Sequence, residues 1–156
     1  MVCLGNICRS PMAAALLHNK AQKINDVTII VTSSGTSAWH VGEGAHELSK
    51  KTWESAGYRY DHRASQFNPR SFDEVDLILA MDLTNRANIL NAARTDSDRA
   101  KVKMLRSFDP ALAHIDPTSR EAEALQVPDP WGNEIEAYRE IFEMIERATD
   151  GLIASL

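Results

Sequence analysis

Apolar, β-branched runs alternate with helix-patterned stretches along this 156-residue chain. Few architectures accept that alternation. Val27-Thr-Ile-Ile-Val31 is predicted to be a buried strand, Asp76-Leu-Ile-Leu-Ala80 a second, and Lys101-Val-Lys-Met-Leu105 a third, weaker one. Helices are predicted over residues 11–22, 44–56 and 83–93, with Gly57 placed to end the second. The last helix has the clearest pattern. From Asn133 onward, Ile135, Tyr138, Phe142, Ile145, Thr149 and Leu152 recur at three- and four-residue spacing. Asn133 is the expected cap, and Glu134 and Glu136 suit the positive helix end. Strand–helix alternation implies an α/β domain over 1–156, with a mostly parallel sheet and helices on both faces. In such folds ligands bind beyond the carboxyl ends of the strands.

Composition narrows the function. The chain is 44% hydrophobic and 25% charged, ordinary for a globular domain, and no run approaches the ~18 apolar residues of a membrane span. A net charge of -5 with no basic stripe argues against nucleic acid as a partner. Two cysteines make no disulfide scaffold, so a reducing cytoplasm is the expected compartment. The stretch from Arg106 to Trp131 is long and rich in Pro and Asp, and loops of that length are usually functional.

Both cysteines fall in the opening, Cys3-Leu-Gly-Asn-Ile-Cys-Arg-Ser-Pro11. Ser10 is read as a helix cap and Pro11 as a first-turn residue, so the loop runs into a helix N-terminus. Such an end presents free N–H groups and partial positive charge. Gly5 is expected to let the backbone bend. Curled inward, the loop N–H groups make a nest for a tetrahedral oxyanion, and Arg9 adds a bidentate fork. The same field acts on Cys3. Helix N-termini with nearby cations bring a thiol from ~8.5 to roughly 3.5–7.5, which makes Cys3 a thiolate beneath the bound anion. That is a nucleophile set against a phosphate ester. The plain alternative, two small buried cysteines and a surface arginine, leaves the glycine, serine and proline unexplained.

This nine-residue string resembles the signature of the low molecular weight protein tyrosine phosphatases. The resemblance extends through Ser33-Ser-Gly-Thr36, Trp39-His-Val-Gly42, His62-Arg63, Ala80-Met-Asp82 with Asn85, and Val127-Pro-Asp-Pro-Trp131. It implies a three-layer fold on a four-stranded sheet whose central first strand has several apolar residues before the nucleophile in relatives; here only Met1 and Val2 precede Cys3, so either the sequence starts late or that strand is truncated. It implies hydrolysis of phosphotyrosine in proteins through a cysteinyl phosphate, with inorganic phosphate as product and no metal or cofactor. Cys3 and Arg9 take the roles of nucleophile and transition-state clamp. Leu4, Gly5, Asn6, Ile7, Cys8 and Ser10 complete the phosphate loop, braced by Ser33 and His62. Trp39 and Trp131 wall an aromatic cleft, with Gly132 where relatives often have a second aromatic. Ile7 favours an aryl substrate, because relatives specific for phosphoarginine carry threonine there. In the family the two loop cysteines also pair on oxidation, which makes Cys8 a protector of Cys3.

A departing phenolate needs a proton donor. Among 22 carboxylates, Asp129 is distinguished by Pro128 and Pro130, which stiffen its loop. Asp109 and Asp116 also precede prolines, and the residues alone leave all three open. The resemblance selects Asp129. Two rivals stand beside the phosphatase reading. Arsenate reductases of the same fold relay a disulfide through further cysteines, which this chain lacks. A non-catalytic phospho-ligand module would have no use for Cys3, Arg9 and Asp129 together.

Overall fold

Four short strands form the middle layer of the protein, in a computed structural model that describes residues 1–156. They are β1 (Val2–Cys3), β2 (Ser34–Gly35), β3 (Ile78–Ala80) and β4 (Val102–Met104), in the order β2-β1-β3-β4. Every pairing is parallel, so the sheet is wholly rather than mostly parallel. Side chains alternate across it. Cys3 and Leu79 enter one core with helices α1 (Arg9–Ala21), α2 (Glu47–Ser55) and α6 (Ile135–Ala154). Val2, Ile78, Ala80, Val102 and Met104 enter the other, which Phe72 of α3 (Ser71–Glu74) and Ile89 of α4 (Leu83–Ala92) cover. A further short helix, α5 (Asp96–Ala100), leads into β4.

Local chemistry accounts for the helix ends. Gly57 takes φ 90°, with Gly57 N–H donating to the Glu54 carbonyl and Tyr58 N–H to that of Trp53, the paired bonds of a Schellman stop. The Asp82 side chain caps α4 through Asn85 N–H. α6 buries Tyr138, Ile145, Thr149 and Leu152 of the expected stripe together with Ile141 and Ala148, while Ile135 and Phe142 are half-buried at its edge. A Cβ at Gly151 would overlap the Phe108 carbonyl, so α6 lies directly on the 3-10 turn Leu105–Phe108.

Several expectations are corrected. Residues 27–31 are not a buried strand: they pair with no strand, and the strand that does pair with β1 is the two residues Ser34–Gly35 beyond them. Val27 is 41% and Ile30 87% exposed, and only Ile29 and Val31 pack on the core. Ser10 is not a cap, since α1 already begins at Arg9 behind Cys8. Asn133 does not cap α6 either; Glu134 holds that position without a side-chain bond. α2 starts three residues later than the predicted helix, at Glu47, where the His46 ring accepts from Leu48 N–H.

Candidate active site

The loop from Cys3 to Arg9 leaves the carboxyl end of β1 and enters α1. Its carbonyls are tied to the surrounding chain. Cys3 O accepts from Thr36 N–H at 2.9 Å, and Leu4 O from both Ser37 N–H (2.9 Å) and the Ser37 hydroxyl (3.0 Å). Ile7 O accepts from His46 N–H at 2.8 Å and Cys8 O from the Ser49 hydroxyl at 2.6 Å. With its carbonyls held outward, the loop turns its other edge to the cavity. The N–H groups of Leu4, Gly5, Ile7, Cys8 and Arg9 donate to no protein acceptor. That is the composition of an anion nest at a helix N-terminus.

The bend falls on Asn6, not Gly5. Asn6 has φ 56°, the left-handed region, and Gly5 does not. Gly5 is constrained instead by the His40 ring, 3.0 Å from where its Cβ would stand. Asn6 is secured on every side. Its Nδ2 donates to the Ser10 (2.8 Å) and Ser33 (3.0 Å) hydroxyls, and its Oδ1 accepts from Ser65 N–H at 2.9 Å. Its carbonyl accepts from His62 Nε2 at 2.7 Å, which fixes that nitrogen as the protonated one. Burial lowers the pKa of His62, which favours the neutral ring.

Cys3 is 3% exposed, with its Sγ 3.0 Å from Ser10 Oγ and 3.3 Å from the nitrogen of the Asn6 N–H that donates to it. Ser10 Oγ accepts from Asn6, and its own proton has two acceptors within reach, the Cys3 sulfur at 3.0 Å and the Ser34 carbonyl at 3.5 Å. Cys8 Sγ meets the Tyr138 hydroxyl at 3.6 Å, and burial pushes its thiol up to about 12. Both cysteines are free thiols.

Arg9 is buried, its side chain 3% exposed. Nη1 donates to Asp82 Oδ2 at 2.6 Å and to the Val127 carbonyl at 3.0 Å. Nε and Nη2 make no hydrogen bond within the protein, and Nη2 stands 3.6 Å from Asp129 Oδ2. One edge of the guanidinium is thus anchored while the other remains a fork for two oxygens. Cys3, Leu4, Gly5, Ile7, Cys8, Arg9, Trp39, His40, Asp129 and Trp131 enclose a cavity of about 230 Å³. Trp39 and Trp131 stand 75% and 64% exposed at its mouth. Asp109 and Asp116 are elsewhere: Asp109 pairs with Arg147 Nε at 3.3 Å, and Asp116 folds back on Thr118. Of the three Asp-Pro residues, only Asp129 reaches the cavity.

A family model described as low molecular weight phosphotyrosine protein phosphatase matches residues 1–156. The chain belongs to that family. A low molecular weight protein-tyrosine-phosphatase from Streptomyces coelicolor is 38% identical over 99% of this chain and 90% of its own. The crystal structure of an Entamoeba histolytica protein tyrosine phosphatase, with Hepes in its active site, superposes with TM-score 0.80 at 29% identity, covering 99% of this chain and 92% of that one. The YwlE arginine phosphatase from Geobacillus stearothermophilus gives 0.79 at 32% identity, covering 99% and 88%. The protein is therefore a low molecular weight protein tyrosine phosphatase with the family's α/β fold.

Sequence reasoning assigned no role to several residues that shape this phosphatase's cavity. Asp82, whose place in the sequence gives no sign of a partner 73 positions away, holds Arg9. Gly35 has no room for a side chain, since a Cβ would lie 2.7 Å from the Leu4 carbonyl oxygen and 3.1 Å from Asn6 N. Thr36, Ser37, His46, Ser49 and Ser65 pin the loop through bonds that no local pattern announces. His40 lines the cavity with its Nδ1 2.7 Å from Glu43 Oε2.

Proposed function

We propose that this phosphatase hydrolyses phosphotyrosine in proteins with Cys3 as nucleophile, Arg9 and the loop N–H groups as transition-state ligands, and Asp129 as proton donor. Cys3 attacks phosphorus as the thiolate. The P–O bond to the tyrosine breaks, and the departing oxygen takes the Asp129 proton. The three equatorial oxygens gather charge between the nest and the free edge of Arg9, in a site built before the reaction begins. The Asp129 carboxylate then takes a proton from water as that water attacks the cysteinyl phosphate. The sulfur leaves toward the Ser10 hydroxyl, and inorganic phosphate is released. The positive charge comes from the nest and Arg9, so the scheme needs no metal.

The observation that carries this reading is a run of loop N–H groups without protein acceptors, on residues that line one cavity together with Cys3 and the free edge of Arg9. The near-complete burial of Cys3 favours the long aryl ester over phosphoserine, and the exposed Trp39 and Trp131 among the lining residues suit a flat ring. Free thiols at both cysteines fit a reducing compartment such as the cytoplasm.

The test is a panel of phosphotyrosine, phosphoserine and phosphoarginine peptides, assayed in EDTA with wild type and Cys3→Ser. The expected result is turnover of phosphotyrosine unaffected by EDTA, little of the others, and none above background by Cys3→Ser. A preference for phosphoarginine would overturn the aryl specificity, and activity in Cys3→Ser would overturn the nucleophile.

A further inference from the structure

The segment that carries Asp129 is fastened at its base. Val127 N–H donates to the Met81 carbonyl at 2.7 Å, and the Val127 carbonyl accepts from Arg9 Nη1 at 3.0 Å. One residue earlier, Gln126 makes two more bonds. Its Oε1 accepts from Leu83 N–H at 3.0 Å, and its carbonyl accepts from Arg106 Nη1 at 2.9 Å. Leu83 opens α4, so its N–H is one of the donors a helix cannot satisfy internally. Asp82, the N-cap, takes Asn85 N–H with Oδ1 and Arg9 with Oδ2. A closed circuit results: Arg9, Asp82, Leu83, Gln126, Val127 and back to Arg9. Each link is a hydrogen bond or a peptide bond.

Asp129 follows two residues later, with Pro128 and Pro130 stiffening the chain around it. Gln126 itself does not line the cavity. We propose that Gln126 is a positioning residue for proton transfer, holding the acid loop against the start of α4 so that Asp129 meets the leaving oxygen. Arg106 supports it from the far side through the Gln126 carbonyl. The inference rests on Asp129 as proton donor. In the step concerned, the P–O bond breaks while the Asp129 proton passes to the aryl oxygen. A loop displaced by about 1 Å would leave the thiolate attack intact but leave the phenolate without its proton.

The test separates these two effects through the leaving group. Phenyl phosphate needs the proton, whereas 2,4-dinitrophenyl phosphate departs without it. For both esters kcat/KM reports transfer to Cys3. Gln126→Leu removes the acceptor at similar volume. Its kcat/KM is expected to fall about tenfold on phenyl phosphate and less than about twofold on the dinitrophenyl ester. Gln126→Glu keeps an acceptor for Leu83 N–H and is expected to stay within about twofold of wild type on both. Equal losses on the two esters, or no loss, overturn the proposal. Should Gln126→Leu fail to fold, Arg106→Met removes the second anchor, and the absence of a leaving-group-dependent loss there overturns it equally. Asp129→Ala distinguishes the underlying assumption, with about a 10²-fold loss expected on phenyl phosphate alone. If that variant treats both esters alike, the acid assignment fails and takes the Gln126 proposal with it.

Discussion

Asn6 accepts a left-handed conformation that costs most side chains about 1–2 kcal/mol. Four hydrogen bonds from its side chain and carbonyl hold it there, to Ser10, Ser33, Ser65 and His62. A glycine would take the turn more easily but could not make the side-chain bonds. The two cysteines of the same loop differ in surroundings more than their spacing implies. Cys3 faces the Ser10 hydroxyl and the Asn6 N–H. Cys8 is buried with its sulfur at the Tyr138 hydroxyl, where burial raises its thiol to about 12, so it stays protonated at neutral pH. Iodoacetamide at pH 7 is therefore expected to label Cys3 alone, with inorganic phosphate slowing the reaction. Mass spectrometry of the labelled peptides checks this, and comparable labelling of Cys8 would contradict it.

At the scale of elements, close approach decides where the loop sits. β2 passes so near the phosphate loop that Gly35 has no space for a methyl group. The contact is with backbone, which cannot swing aside as a flexible side chain can. Gly35→Ala is expected to destabilise the fold by about 1–3 kcal/mol, the usual cost of overpacking. It should also lower kcat/KM by about tenfold or more, because the atoms displaced belong to Leu4 and Asn6. Thermal unfolding and p-nitrophenyl phosphate kinetics read the two effects separately. A stable variant with wild-type activity would mean that β2 shifts without moving the loop. Gly151 has the same role between α6 and the Phe108 carbonyl.

Across the whole molecule, two cores share one sheet, and an arginine clamp ties together two of the short helices. Arg94 donates to Asp98 and to Asp73, joining α5 to α3. Hydrogen bonds from Arg94 hold the Asp98 carboxyl down at about 2, below its ordinary 3.8. A carboxylate lowered in the folded state contributes stability above its unfolded value and loses it as pH falls through the folded one. The clamp therefore weakens between about pH 4 and pH 2. Arg94→Met is expected to lower Tm at pH 6 to 8, where the clamp is intact in wild type, and to flatten the fall of Tm between pH 4 and pH 2, so that the two proteins converge in acid. A Tm–pH curve parallel to wild type would show that the clamp carries no acid sensitivity.

Patterns carried by neighbouring residues were readable from the sequence. The Cys3-to-Arg9 loop, the stripe of α6, the Gly57 stop and the runs that became β3 and β4 depend on residues within a turn or a strand of each other. Features that need a distant partner were not. Residues 27–31 have strand composition but no ladder, because pairing depends on what lies opposite. Arg9 meets Asp82 across 73 positions and the Val127 carbonyl across 118, and Gln126 meets Leu83 across 43. The choice of Asp129 over Asp109 and Asp116 within this chain is likewise a matter of which carboxylate the folded loop carries to the cavity. Local chemistry determined the parts of the anion site, and only tertiary packing set the distances between them, because hydrogen bonds and steric exclusion act over a few ångströms whatever the separation along the chain.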